Sequence, residues 1–194
     1  MYVVALNGSP HRDGNTAYLL QLILQNIQNA ETEMIQIGEL MQKLEKPFCT
    51  SCASPCPKVC FRGTGVEDAF EKMRKADVIL VGSPVYFGAP SAQIKAFFDK
   101  SRAYRGEKAF IGKLGAAISC GASKYGGQEA TVKTLQNCML VQGMSIIGPG
   151  SHDFDAGHLG VCAQQPASDD SFAESRCLSL AARISALKET GNIV

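Results

Sequence analysis

The sequence predicts an α/β fold of three layers, in which a five-stranded parallel sheet is covered by helices on both faces. Five short apolar runs alternate along the chain with segments of helical periodicity. No internal repeat or low-complexity linker divides the 194 residues, a length that can bury one core. We therefore expect a single domain over residues 1–194.

Each predicted element follows from its local pattern. Runs of apolar and β-branched residues predict strands at 2–6, 33–37, 77–84, 113–121 and 144–148. Apolar residues at helical spacing predict helices at 15–30, 66–76, 91–104, 129–143 and 169–189. Asn15 stands where it would cap the first helix. Residues 45–65 and 149–168 fit neither pattern, and segments of that length inside a domain are often functional. The first of them is predicted to be a cysteine-rich insertion after the second strand.

Composition excludes two classes of partner. The chain has 19 Lys and Arg against 18 Asp and Glu, so it has no basic excess with which to bind nucleic acid. Its longest apolar stretches are strand-sized, which predicts no membrane span. No positive charge precedes the first apolar run, so we expect a strand there rather than a signal peptide. These features predict a cytoplasmic protein with reduced thiols.

Four of the eight cysteines lie within the stretch CTSCASPCPKVC, at Cys49, Cys52, Cys56 and Cys60. Disulfides are disfavoured if the thiols stay reduced. Four thiolates within one short loop can surround a compact iron–sulfur cluster, and a Cys-Pro pair is common at the end of such motifs. Structural zinc more often takes its ligands from two separated pairs. The spacing therefore favours an iron–sulfur cluster, with zinc and unliganded thiols as the alternatives.

The first predicted strand is followed by the sequence NGSPHRDGNT, here called the first loop (7–16). Its small residues let the backbone curl closely, and the free N–H groups of the helix that follows favour a phosphate. The hydroxyls of Ser9 and Thr16 add donors. No Walker lysine and no G-x-G-x-x-G pattern is present, which disfavours triphosphates and a Rossmann dinucleotide site. The alternative is a plain turn with a helix cap.

Two further loops follow predicted strands at the same edge of the sheet. The second loop (82–90) carries Tyr86 and Phe87, which offer a wall for a planar ring, although aromatic residues there are more often core packing. The third loop (120–129) is rich in glycine and carries Lys124 and Tyr125. Its amides could contact ring carbonyl oxygens, and Lys124 could stabilise negative charge on a reduced ring; a flexible loop is the alternative. Together the three loops predict a pocket shaped for FMN.

The stretches NGSPHRDGNT, SPVYFGAPSAQIKAFFDK and GGQEATVKTL resemble the flavodoxin-like, NADPH-dependent FMN reductase family. The resemblance implies a flavodoxin-like three-layer α/β/α sandwich that binds FMN. By position it implies phosphate contacts from Ser9, Arg12, Asn15 and Thr16. It implies ring or ribityl contacts from Pro84, Val85, Tyr86, Phe87 and Gly88. It implies contacts at the flavin edge from Gly121, Lys124, Tyr125, Gly126 and Gly127. His11 stands where many relatives have arginine.

One branch of this family, the iron–sulfur flavoproteins, carries a compact cysteine motif after the second strand that binds a [4Fe–4S] cluster. Similarity to that branch implies that Cys49, Cys52, Cys56 and Cys60 are the ligands. It implies a redox protein that connects a one-electron donor such as ferredoxin to a small two-electron acceptor. No catalytic acid or base is assigned, because electron transfer requires none. The family also implies homodimers or homotetramers.

Three other functions remain open from the sequence. One is an NAD(P)H-dependent FMN or quinone reductase in which the cysteines hold zinc or no metal. Another is a structural zinc module at the cysteines that serves an interaction surface. The last is a non-catalytic electron shuttle like flavodoxin itself. Such shuttles are usually strongly acidic, and a net charge of +1 does not fit well.

Overall fold

The computed structural model describes residues 1–152 and 155–189, which form a parallel sheet between two layers of helices. The strands are β1 Tyr2–Asn7, β2 Glu31–Gln36, β3 Val78–Tyr86, β4 Ala89–Pro90, β5 Leu114–Gly121, β6 Ser145–Ile146 and β7 Val161–Gln164. The helices are α1 Asn15–Asn26, α2 Ile37–Gln42, α3 Gly65–Lys75, α4 Ala92–Lys100, α5 Arg102–Gly106, α6 Gln128–Leu140 and α7 Ser171–Glu189. None of these helices has the length and hydropathy of a membrane span.

The sheet has the order β2-β1-β3-β5, and its fifth position is shared by two short strands. β6 pairs in parallel with the beginning of β5, and β7 pairs in parallel with its end. The predicted fold class and five-stranded parallel core are therefore confirmed, with β4 and β7 as additions. The prediction that residues 149–168 contain no regular element is wrong, because β7 and the start of a short 3-10 helix, Ala167–Asp169, lie there.

Two other predicted elements differ in the structure. The second strand is followed directly by α2, and the next segment without helix or strand is residues 43–64, here called the cysteine segment. The single helix predicted at 91–104 is broken at Ser101, which separates α4 from α5. The cysteine segment therefore follows α2 rather than the strand itself.

Strand residues alternate between two apolar layers, as the pleat requires. Val3 and Ala5 pack towards α1 and α7, whereas Val4 and Leu6 face the layer that contains α3 and α4. Phe61, the last core residue of the cysteine segment, packs in that second layer with its ring centroid 5.5 Å from that of Phe70. The end of the cysteine segment is thus fixed to the core.

Because the thiol of Cys177 in α7 is buried, we expect the protein to lose stability at high pH. The side chain has no exposed surface, and burial raises the pKa of its thiol from 9.0 to about 12. The unfolded chain therefore releases this proton first, so the stabilisation is complete below pH 9 and is lost as the pH rises towards 12. Between pH 8 and pH 10 we expect the free energy of unfolding to fall about 1.4 kcal/mol more in the wild type than in Cys177→Ala.

Urea unfolding at the two pH values, followed by circular dichroism, measures this difference. Burial also raises the pKa of Cys120, to about 11, but that thiol is present in both proteins and its contribution cancels. Equal losses of stability in the wild type and Cys177→Ala would contradict the prediction.

Candidate functional site

The three loops predicted to form a pocket meet at the carboxyl edge of the sheet. In the first loop, the amide of Gly8 donates to the carbonyl of Gly82 at 2.8 Å. The hydroxyl of Ser91, just after the second loop, donates to the carbonyl of Gly8 at 2.5 Å. A Cβ added to Gly127 in the third loop would lie 2.7 Å from the Cα of Gly88 in the second. The sheet therefore brings together the loops that the sequence singled out.

Asn7, the last residue of β1, shapes the first loop from a fully buried position. Its Oδ1 accepts from the amide of Ser9 at 3.0 Å, and its Nδ2 donates to Oε1 of Gln36 at 2.7 Å. The hydroxyl oxygen of Ser9 accepts from the amide of His11 at 3.1 Å. The Ser9 oxygen thus holds the turn, which leaves its hydrogen to donate to a ligand.

The amino end of α1 has no side-chain cap. Its N-cap residue is Gly14; α2, α5 and α6 also lack a side-chain cap, whereas Thr64 and Ser91 cap α3 and α4 through their hydroxyls. The prediction that Asn15 caps α1 is wrong, since Asn15 is the first helical residue and its Oδ1 accepts from the amide of Ala167 at 2.8 Å. Free N–H groups at a helix start favour an anion such as phosphate.

The other two predicted phosphate residues differ in exposure. Thr16 is buried, and its Cγ2 would lie 2.8 Å from a Cβ added to Gly82. Arg12 is at the surface and forms two hydrogen bonds, of 2.8 and 2.7 Å, with the carboxylate of Glu39 in α2. Hydrogen bonding from Arg12 lowers the pKa of the Glu39 carboxyl group. A phosphate in the first loop would compete with Glu39 for this guanidinium.

The second loop is a tight hairpin that presents aromatic rings to solvent. Val85 pairs with Pro90 and Tyr86 with Ala89, which leaves Phe87 and Gly88 as a two-residue turn. Both turn residues have positive φ, 51° and 74°, and the side chain of Phe87 is fully exposed. A two-residue hairpin turn favours positive φ at both of its residues, and a bulky residue such as Phe87 is uncommon there.

The third loop also carries an exposed ring on strained backbone. Tyr125 is 91% exposed with φ 59°, and the ammonium of Lys124 lies 5.4 Å from its ring centroid. The amide of Gly126 donates to the carbonyl of Ser123 at 3.0 Å, and a Cβ on Gly126 would lie 2.7 Å from that oxygen. A glycine is therefore required at position 126 for the close turn.

Gln128 is a site residue that the sequence analysis missed. Its buried amide Nε2 donates to the carbonyl of Ser123 at 2.8 Å, and a Cβ added to Gly121 would lie equally close to that nitrogen. Gln128 thus fixes both ends of the third loop. In the sequence, its position directly after a Gly-Gly pair at a helix start could have indicated that it contacts the loop.

A cavity of about 780 Å³ lies beside the third loop, and its volume is in the range of small-molecule sites. Lys124, Tyr125, Gln128 and Glu129 line one side of it. Residues 162–166 and 169–172 line the other side and were not predicted, because β7 was not recognised. The predicted ring contacts Tyr86, Phe87 and Gly88 are not among the residues that line this cavity.

The cysteine segment does not place its thiols around a common centre. Cys49, Cys56 and Cys60 are half-buried and Cys52 is exposed, all as free thiols. Within residues 1–152 and 155–189, no three His, Cys, Asp or Glu side chains are positioned to hold a metal ion. One contact fits an anionic group nevertheless: the ammonium of Lys100, 1% exposed, donates to Sγ of Cys60 at 3.2 Å.

Comparisons with known proteins find similarity over most of the chain. The family model for NADPH-dependent FMN reductases matches residues 1–158. An iron-sulfur flavoprotein of Methanocaldococcus jannaschii is 36% identical over 166 residues, 83% of this chain and 83% of the relative. An NAD(P)H dehydrogenase (quinone) of Chromohalobacter salexigens is 39% identical over 72 residues, 37% of this chain and 36% of the relative.

A solved structure shares the fold over nearly the whole chain. The WrbA-like flavodoxin from Agrobacterium tumefaciens has a TM-score of 0.68 at 18% identity and covers 97% of each chain. The flavodoxin-like architecture expected from the resemblance is therefore confirmed.

Proposed function

Since this chain belongs to the NADPH-dependent FMN reductase family and is a flavin-dependent oxidoreductase, we propose that it binds FMN at the three loops and a [4Fe–4S] cluster at the cysteine segment. In this proposal the protein passes electrons from a one-electron donor, such as a ferredoxin, to a small two-electron acceptor. Residues 1–194 act as one domain, assembled into homodimers or homotetramers.

The main structural observation that supports the FMN site is the uncapped start of α1, where free N–H groups would bind the phosphate. Its first-turn N–H groups, the hydroxyls of Ser9 and Thr16, and the side chain of Asn15 would hold the phosphate. Arg12 would also contact the phosphate, after giving up its ion pair with Glu39. The ring and ribityl chain would contact residues 84–88 and the edge residues Gly121, Lys124, Tyr125, Gly126 and Gly127. FMN supplies the capacity to take up two electrons and to release them singly.

The donor set of the cysteine segment fits an iron–sulfur cluster. Four soft sulfur ligands lie within twelve residues, and a buried ammonium adjoins one of them. Similarity to an iron-sulfur flavoprotein over 83% of the chain supports the same assignment. In this role Cys49, Cys52, Cys56 and Cys60 bind the cluster, which supplies one-electron transfer.

The cavity beside the third loop offers a place for the acceptor. The Lys124 cation and the Tyr125 ring would hold a small planar molecule with carbonyl oxygens, and the carboxylates of Glu129, Asp169 and Asp170, which also line the cavity, disfavour an anionic one. Quinones have this chemistry, and similarity to an NAD(P)H dehydrogenase (quinone) favours them.

A second candidate function is an NAD(P)H-dependent FMN or quinone reductase with zinc or no metal at the cysteines. Similarity to an NAD(P)H dehydrogenase (quinone) over 37% of the chain favours it. A flavodoxin-like shuttle is the third candidate, and turnover of any small acceptor excludes it.

The composition of protein purified under argon tests the proposal. We expect about one FMN, four iron atoms and acid-labile sulfide per chain, with a flavin absorption band above the broad absorption of the cluster. Zinc, or no metal, together with rapid bleaching of the flavin by NADPH would support the second candidate instead.

A further inference from the structure

Lys100 is a buried cation whose partner is a sulfur atom. It is the last residue of α4, its side chain is 1% exposed, and its Nζ donates to Sγ of Cys60 at 3.2 Å. Among the described residues no carboxylate forms an ion pair with this ammonium. By contrast, Lys58 of the cysteine segment pairs with Glu107 at 2.8 Å.

Burying an ammonium without a negative partner is costly, and a neutral thiol is only a weak hydrogen-bond acceptor. The same position would be favourable if the sulfur were a thiolate bound to a cluster, because the charges would then attract each other in a site shielded from water. The buried positive charge of Lys100 is therefore balanced by an anionic sulfur centre at Cys60 and is left unbalanced without one.

The contact is fixed rather than accidental. Phe61, the neighbour of Cys60, is buried in the aromatic part of the core, which fixes the sulfur end. Lys100 ends α4 at the break at Ser101, which fixes the ammonium end. Cys49 lines a cavity of about 340 Å³ with Ser101 and Arg102, so two of the four cysteines adjoin the same turn.

We infer that Lys100 is a positioning residue for the redox centre at the cysteines: its charge favours the more negative, reduced state of the centre and helps to retain it. This inference rests on the proposed function. Reduction adds one electron from the reductant to the centre, and the fixed positive charge lowers the free energy of the product more than that of the reactant.

A dithionite titration of the argon-purified protein, with iron and FMN in place, tests the inference. Lys100→Met removes the charge and keeps an unbranched side chain. Lys95→Met is the matched control, since Lys95 lies on the same helix with its side chain about half exposed and paired with Asp99. We expect Lys100→Met to lower the equilibrium constant for one-electron reduction at least tenfold, or about 59 mV. Lys95→Met should stay within about twofold of the wild type, because exposed charges are screened.

Lys100→Arg, which keeps the charge, should restore the wild-type potential and iron content. Lys100→Met protein that keeps its iron and titrates like Lys95→Met would overturn the inference and leave the proposed function standing. Lys100→Met protein that fails to fold, or equal loss of iron in Lys100→Met and Lys100→Arg, would also overturn it, since the role would then be structural. Wild-type protein without iron or sulfide would overturn both proposals and is detected before any variant is titrated.

Discussion

Replacing Cys49, Cys52, Cys56 and Cys60 together by serine is expected to reduce the iron content from about four atoms per chain to nearly none. A serine hydroxyl stays protonated at neutral pH and does not replace a thiolate ligand. FMN should remain near one per chain, because the cysteines lie in the cysteine segment and the proposed FMN contacts lie in the three loops. Ser91, at the start of α4, donates to Gly8 of the first loop, and Lys100, at its end, contacts Cys60, about 13 Å away along a nine-residue helix.

The functional consequence separates the two candidate enzymes. With reduced ferredoxin as donor, flavin reduction in the four-serine variant should slow by at least about 100-fold, since the one-electron entry point is lost. Direct reduction by NADPH, where the wild type shows any, should be unchanged. Stopped-flow absorbance under argon measures both rates. Cys138→Ser is the control, because Cys138 is a half-buried thiol of α6 outside the motif. Unchanged ferredoxin-linked reduction in the four-serine variant would refute the proposed electron path.

The sheet and the position of its three loops could be predicted because strong local patterns specify them. Apolar runs such as residues 78–81 form buried strands, and parallel strands end at one edge, so their loops must meet there. The short strand β7 could not be predicted, because its four residues gain their order by pairing with Ile118 to Gly121 of β5. The cavity wall formed beyond β7 was missed for the same reason.

Pairings between distant residues were beyond the reach of sequence patterns. Arg12 and Glu39 are 27 positions apart, and Lys100 and Cys60 are 40 apart. A lysine at the end of a helix looks like an ordinary solvent-exposed cation, whereas in the structure Lys100 is buried and contacts Cys60. The sequence therefore predicted which loops carry the chemistry but not which charges balance it.

The first loop depends on a glycine outside it, so Gly38→Ala is expected to abolish most FMN binding. Gly38 lies in the first turn of α2, and an added Cβ would be 2.1 Å from the carbonyl oxygen of Ser9. Its φ is not positive, so alanine is compatible with the backbone and the effect is purely steric. The added Cβ is attached directly to the backbone of α2, and the atom that it meets is a backbone oxygen. No flexible side chain can move aside, so the first loop must shift. We expect FMN affinity to fall by about 100-fold and the free energy of unfolding by about 1–3 kcal/mol.

Gly106→Ala is the matched control, since Gly106 ends α5, has no positive φ, and an added Cβ there meets no atom within 4 Å. It should bind FMN like the wild type and be equally stable or slightly more stable, because alanine restricts the unfolded chain more than glycine does. Quenching of FMN fluorescence and urea unfolding measure the two quantities. If Gly38→Ala binds FMN as tightly as Gly106→Ala, the phosphate does not depend on the backbone of Ser9, and its assignment to the first loop is wrong.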